Sequence, residues 1–156
     1  SPSGLAGPGR PYGRAMTVTI PWLGVLVAFV VAFVANFLWF GPKTMFPVWW
    51  RALGHTMDER PATEGMGKVF GLTIVGLLVQ VLTMSWILQA AAALYDQDVT
   101  LGAGALIGAV VGAGIAAAAS LGHRMFAGQG LTVWAVEVGG DILGLTLIGA
   151  TLSFFL

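Results

Sequence analysis

Four runs of apolar residues, each long enough to cross a bilayer as a helix, divide this chain and leave few other architectures open. They cover residues 20–41, 67–94, 101–121 and 131–155. A helix needs about 20 consecutive apolar residues to traverse a hydrocarbon core roughly 30 Å thick. The remaining residues are too few and too uncharged for a soluble alternative. Of the 156 residues 57% are hydrophobic and 9% charged, and the mean hydropathy is +0.87. A soluble domain carries about a quarter charged residues to cover its surface. Intrinsic disorder is excluded by the same numbers, because disordered chains are polar and charge-rich. A formal net charge of zero with no basic run argues against nucleic acid as a partner. No cysteine is present, so disulfides, thiolate metal sites and cysteine nucleophiles are ruled out. The expected class is an all-α integral membrane protein, a four-helix transmembrane bundle with the lipid bilayer as its first partner.

Residues 1–16 read as an extended, Gly- and Pro-rich tail, and residues 17–156 as one transmembrane domain. Met16 offers an internal start, and no small-residue cleavage site follows the first apolar run, so a signal peptide is not expected. Short turns join spans two and three and spans three and four. The one sizeable loop, residues 42–66, holds an interfacial helix over about residues 44–53. Lys43, Arg51, Arg60, Lys68 and Arg124 fall on one side of the spans, with only Arg10 and Arg14 opposite. The positive-inside rule then places both basic loops in the cytoplasm and both termini outside, in a bacterial inner membrane. Trp22, Trp39, Trp49, Trp50, Tyr95 and Trp134 lie near span ends, where aromatic rings suit the headgroup layer. Trp86 lies deeper and is read as packing.

Span three has almost no large side chains. Gly104, Gly108 and Gly112 recur every fourth residue, and Ala116 and Ser120 continue the stripe. On a helix that spacing makes one smooth groove, the small-residue seam along which helices associate in lipid. Gly140 and Gly144 offer a matching step in span four. Helix three is therefore expected at the bundle centre or at an oligomer interface.

The polar residues inside the spans fall into two layers. At 1.5 Å per residue Asn36 and Glu137 lie about 8 and 9 Å inside one boundary, and Gln80 and Asp141 about 15–20 Å inside. Glu137 and Asp141 are four residues apart and share a helical face. A carboxylate at this depth costs at least about 2.5–3.5 kcal/mol to insert, so such groups face the bundle interior or water and mark function by default. Apart from Lys68 at the very edge of the second, no Lys or Arg lies within the spans. The balance is supplied by protonation and hydrogen bonds to Asn36, Gln80 or nearby carbonyls, by a bound proton or cation, or by another membrane subunit. His123 could approach Glu137 as a partner or a weak metal ligand. His55, with Asp58 and Glu59, reads as the polar surface of a solvated loop.

No GxSxG, HExxH, CxxC or phosphate-binding glycine loop is present, and the glycine repeats lie inside an apolar span. Nothing names a cofactor, pigment or lipid. The leading expectation is a non-enzymatic accessory or structural subunit of a larger assembly, such as a respiratory or photosynthetic complex. It rests on small loops, the small-residue seam and carboxylates without partners in the chain. The alternative is a small proton- or cation-coupled transporter or channel, acting as a homo-oligomer through Glu137 and Asp141. A membrane enzyme using His123 and the carboxylates is the third reading.

The run Leu38-Trp39-Phe40-Gly41-Pro42 closing span one, Trp49-Trp50, Gly54 and Met66-Gly67-Lys68 opening span two resemble the DUF1761 family of small four-span membrane proteins. The resemblance covers about residues 17–156 and implies the fold, not an activity. The chain departs from the family where Gly122-His123 replaces a frequent Asn, and where Gly140-Asp141 replaces a frequent Tyr-His pair.

Overall fold

The computed structural model describes residues 17–156, and the expected tail over residues 1–16 lies outside them. Among the described residues every regular element is helical: α1 (Trp22–Trp39), α2 (Phe46–Ala52), α3 (Met66–Tyr95), α4 (Leu101–Val111), a π segment (Gly112–Ala117), α5 (Ala118–Phe126) and α6 (Gly130–Leu152). The π segment joins α4 to α5 in one continuous helix. Four helices are thus long and apolar enough to cross a membrane. The expected spans match these within a few residues, except that the third runs on to Phe126, well past the expected end at residue 121. The short interfacial helix forms as α2, with Pro47 in its first turn where a missing N–H costs nothing.

The end of α1 shows how sequence sets a boundary. Pro42 has no N–H and disfavours helical geometry in the residue before it, so the helix stops at Trp39. The Thr44 hydroxyl then lies 2.5 Å from the Leu38 carbonyl and 2.7 Å from that of Trp39, within reach of the terminal carbonyls. A Cβ at Gly41 would crowd the Leu38 carbonyl at 3.0 Å, so the turn suits glycine.

The chain runs back and forth, and α6 stands in the middle, packed against α1, α3 and α4 and touched by α2 and α5. It is the most buried of the four long helices. Of the two places expected for helix three, the bundle centre belongs to α6, and α4 is a flank. Gly104 and Gly108 place their backbones directly on Gly149 and Leu145 of α6, and Gly112 lies against Ile142. Ala116 and Ser120 continue the stripe as half-buried positions. The groove of α4 therefore meets α6 within the chain. Gly140 and Gly144 do not answer it. A Cβ at Gly140 would strike the Trp39 ring and one at Gly144 the Asn36 side chain, so both face α1.

The core unites Val25, Ala28 and Ala32 of α1, Leu77, Val81, Met84 and Leu88 of α3, and Leu145, Ile148 and Leu152 of α6. It fills the end of the bundle near Trp22 and Leu152. Toward the other end α3 parts from its neighbours. From Gly67 to Gly76 every residue of α3 is exposed, and Leu77 is the first buried one. Trp86, expected to pack, lies on the outer face at 52% exposure.

Candidate functional site

The end of the bundle that carries both basic loops is fastened by indoles. The Trp39 Nε1–H donates to the Val136 carbonyl at 2.9 Å, and its ring lies over Gly139 and Gly140, where a side chain would collide with it. Phe40 meets Trp49 edge-on at 6.2 Å between ring centres. Trp50 stacks on Phe46 and His55, and donates to the Thr56 carbonyl at 3.0 Å. Four of the six indoles thus make directed bonds, a role beyond residence at a headgroup layer.

Trp49 is aimed inward. Its Nε1–H donates to Glu137 Oε1 at 3.1 Å, and Arg124 Nε lies 2.6 Å from Glu137 Oε2. Glu137 is therefore satisfied by an α2 indole and an α5 guanidinium, which corrects the expectation of a carboxylate without a partner in the chain. The expected end of span three left Arg124 in a loop. In fact the helix continues to Phe126 and carries Arg124 toward α6. Arg124 also donates from Nη1 to Gln129 Oε1 at 3.0 Å. His123 is exposed, and the residues that meet Glu137 are Arg124 and Trp49.

Asp141, one turn of about 6 Å further along α6, is placed differently. Its carboxylate makes no hydrogen bond or ion pair among the described residues. It lines a cavity of about 580 Å³ between α1 and α3, together with Asn36, Gln80, Thr73 and a set of phenylalanines. With Gln80 it also lines a second cavity of about 230 Å³ on the other side of α3, walled by Val111, Ile115 and Ala116. The parting of α3 from the bundle opens the first space, and Leu77, Gln80 and Asp141 are among its lining residues.

The expected layering is half right in its company. Gln80 and Asp141 share both cavities, as their equal depth suggests. Asn36 does not join Glu137. Its Nδ2–H donates to the Ala32 carbonyl at 3.1 Å, and its side chain lies beside Gly144, on the far side of Asp141 from Glu137. The antiparallel crossing of α1 and α6 moves it deeper than a count from the span ends suggests. Among the described residues neither carboxylate bonds to Asn36 or Gln80.

The π segment was not foreseen. Its sequence, Gly-Ala-Gly-Ile-Ala-Ala, lets the turn widen because there is little side-chain bulk to disturb. The Ala117 carbonyl is bonded by the Trp134 indole at 3.0 Å and the Ser120 hydroxyl at 3.1 Å. Such bulges recur beside functional sites, and this one borders the smaller cavity through Ile115 and Ala116. The aromatic wall of the larger cavity was also missed. Its signal was the spacing of Phe33, Phe37 and Phe40, which runs along one face of α1 and onto the residue that ends it.

The family model for DUF1761, described as a protein of unknown function, matches residues 23–153, and the chain belongs to that family. No curated protein and no solved structure matches the chain.

Proposed function

We propose that this member of the DUF1761 family lies in a bacterial inner membrane as a four-span homo-oligomer and moves a proton or cation through Glu137 and Asp141. The observation that carries this reading is the contrast between the two carboxylates. Glu137 is held by Arg124 at 2.6 Å, whereas Asp141 faces a cavity of about 580 Å³ without a partner of its own. A carboxylate inside a span is costly and faces a pathway or a partner. An ion-paired group near the boundary followed one turn deeper by an unpaired one gives a charge two successive resting places. Both basic loops fall at the Glu137 end, which supports a cytoplasmic position for that end and an outer position for the termini.

The accessory-subunit reading draws less support. One of its three grounds, the small-residue seam, meets α6 inside the chain, and a second is halved, since Glu137 pairs with Arg124. The small loops and Asp141 remain its grounds.

The test is flux through proteoliposomes of the purified chain, followed with an internal pH dye and with cation indicators. Glu137→Gln and Asp141→Asn are expected to abolish flux while the native mass of the particle is unchanged. Equal flux with and without the carboxylates overturns the reading, as does stoichiometric recovery of the chain within a large complex and no flux outside it.

A further inference from the structure

We propose that the cavity between α1 and α3 takes a hydrophobic organic cation, an amine or quaternary centre on an aromatic or aliphatic body, with its charge at Asp141. This rests on the reading of Asp141 as a binding carboxylate, and it names the class of ligand.

The walls argue for the body of such a ligand. Phe33, Phe37 and Phe40 descend one side, and Phe70 stands on the other. Phenyl faces are electron-rich and attract cations, most strongly where water is excluded. A proton or a bare metal ion needs no such lining. The volume of about 580 Å³ lies within the range of small-molecule sites, roughly 300–1,000 Å³. The polar side chains of the lining are few: Asp141, Gln80, Asn36 and Thr73. That is the usual division of a ligand pocket into apolar walls and a few orienting groups.

The charge argues for its sign. Among the described residues Asp141 is the one ionisable member of the lining. Arg124, the nearby cation, is already bonded to Glu137 and Gln129, so an anion would find no free counter-charge there. A metal ion fits poorly, since among the described residues no three His, Cys, Asp or Glu side chains converge. The mouth argues for lipophilicity. Phe37 and Phe70 are 71% and 58% exposed at the outer face of the bundle. With the spans in a bilayer these two rings face lipid, so a ligand that partitions into the hydrocarbon meets the cavity from its side.

The experiment measures binding of radiolabelled tetraphenylphosphonium to the purified full chain in nanodiscs, with triphenylphosphine oxide as the uncharged competitor. Saturable binding is expected, with little displacement by the neutral compound. Asp141→Asn should weaken it about tenfold or more. Phe37→Ala and Phe70→Ala should each weaken it about two- to fivefold, and Trp86→Ala, outside the cavity, should leave it unchanged. Retained helicity and melting temperature of Asp141→Asn show that the loss is not one of folding, and the phenylalanine variants test the same site without touching the charge. Non-saturable uptake, or equal affinity for wild type and Asp141→Asn, overturns the inference. If that outcome accompanies proton flux that still requires Asp141, the organic-cation assignment fails while the proton reading stands. If binding follows the expected pattern but no flux is found, the ligand class stands and the transport reading fails.

Discussion

Arg124 closes on Glu137 with 2.6 Å between Nε and Oε2, tying the end of α5 to the start of α6 across the turn that joins them. The pair is half sheltered, with side-chain exposures of 40% and 20%. Its strength therefore falls between an exposed pair, worth up to about 1 kcal/mol, and a buried one, whose rupture costs about 3–5 kcal/mol. Arg124→Gln is expected to destabilise the protein by about 1–3 kcal/mol, because Glu137 loses its counter-charge. Adding Glu137→Gln should restore part of that loss. Thermal unfolding of the single and double variants in detergent completes the cycle, and strictly additive losses would show that the two side chains are not coupled.

Gly108 tests how α4 meets α6. A Cβ there would fall onto the Leu145 carbonyl, a backbone group that cannot turn aside. Gly108→Ala is expected to cost about 1–3 kcal/mol through overpacking. Gly114, with open space around its position, is the control. Gly114→Ala should be neutral or slightly stabilising, since alanine loses less backbone entropy in a helix. Equal melting temperatures for the two variants would mean that the helices separate freely at the seam.

The Trp39 indole is expected to act as one unit with Gly139. A Cβ on Gly139 would lie 2.7 Å from the ring, and the Nε1–H is bonded to the Val136 carbonyl. Trp39→Phe should cost about 1 kcal/mol or somewhat more, from the lost hydrogen bond and the unfilled space. Gly139→Ala should destabilise wild type and do less harm in the Trp39→Phe background. A cycle with no interaction term would separate the two effects.

The long helices were legible because length and apolarity alone determine them, and Pro42 and Thr100 mark boundaries by local chemistry. Thr100 accepts from the Ala103 amide at 3.2 Å as an N-cap. What fills a groove is a different kind of fact. The glycines at 140 and 144 were recognisable as a notch, but the notch holds Trp39 and Asn36 of α1 and not the seam of α4. Glu137 looked unpartnered because hydropathy ends span three before Arg124, whereas backbone hydrogen bonding continues the helix through it. The cavity at Asp141 depends on α3 parting from the bundle above Leu77. No periodicity records this, since apart from Lys68 and Thr73 that stretch is apolar.

The loop after α2 offers a pH-dependent test away from the spans. Glu59 Oε2 lies 2.7 Å from His55 Nδ1, and Glu59 Oε1 accepts the Thr56 amide at 3.2 Å. An ionised carboxylate can only accept, so Nδ1 carries the proton in this pair. The hydrogen bond from His55, followed by that from the Thr56 amide, holds the Glu59 carboxyl below its ordinary value of 4.5. A depressed carboxyl stabilises the folded loop above its unfolded value, and that contribution is lost as pH falls through the lower folded value. Protection of the Thr56 amide, corrected for the intrinsic exchange rate, should hold steady from neutral pH to about 5 and then decline below 4.5. The same change should reach Trp50, whose ring stacks on His55 with 3.9 Å between centres and whose Nε1–H is bonded to the Thr56 carbonyl. Glu59→Gln should lower protection at neutral pH and flatten its dependence on acid. Protection that declines equally in wild type and in that variant would assign the loop's acid sensitivity to another group.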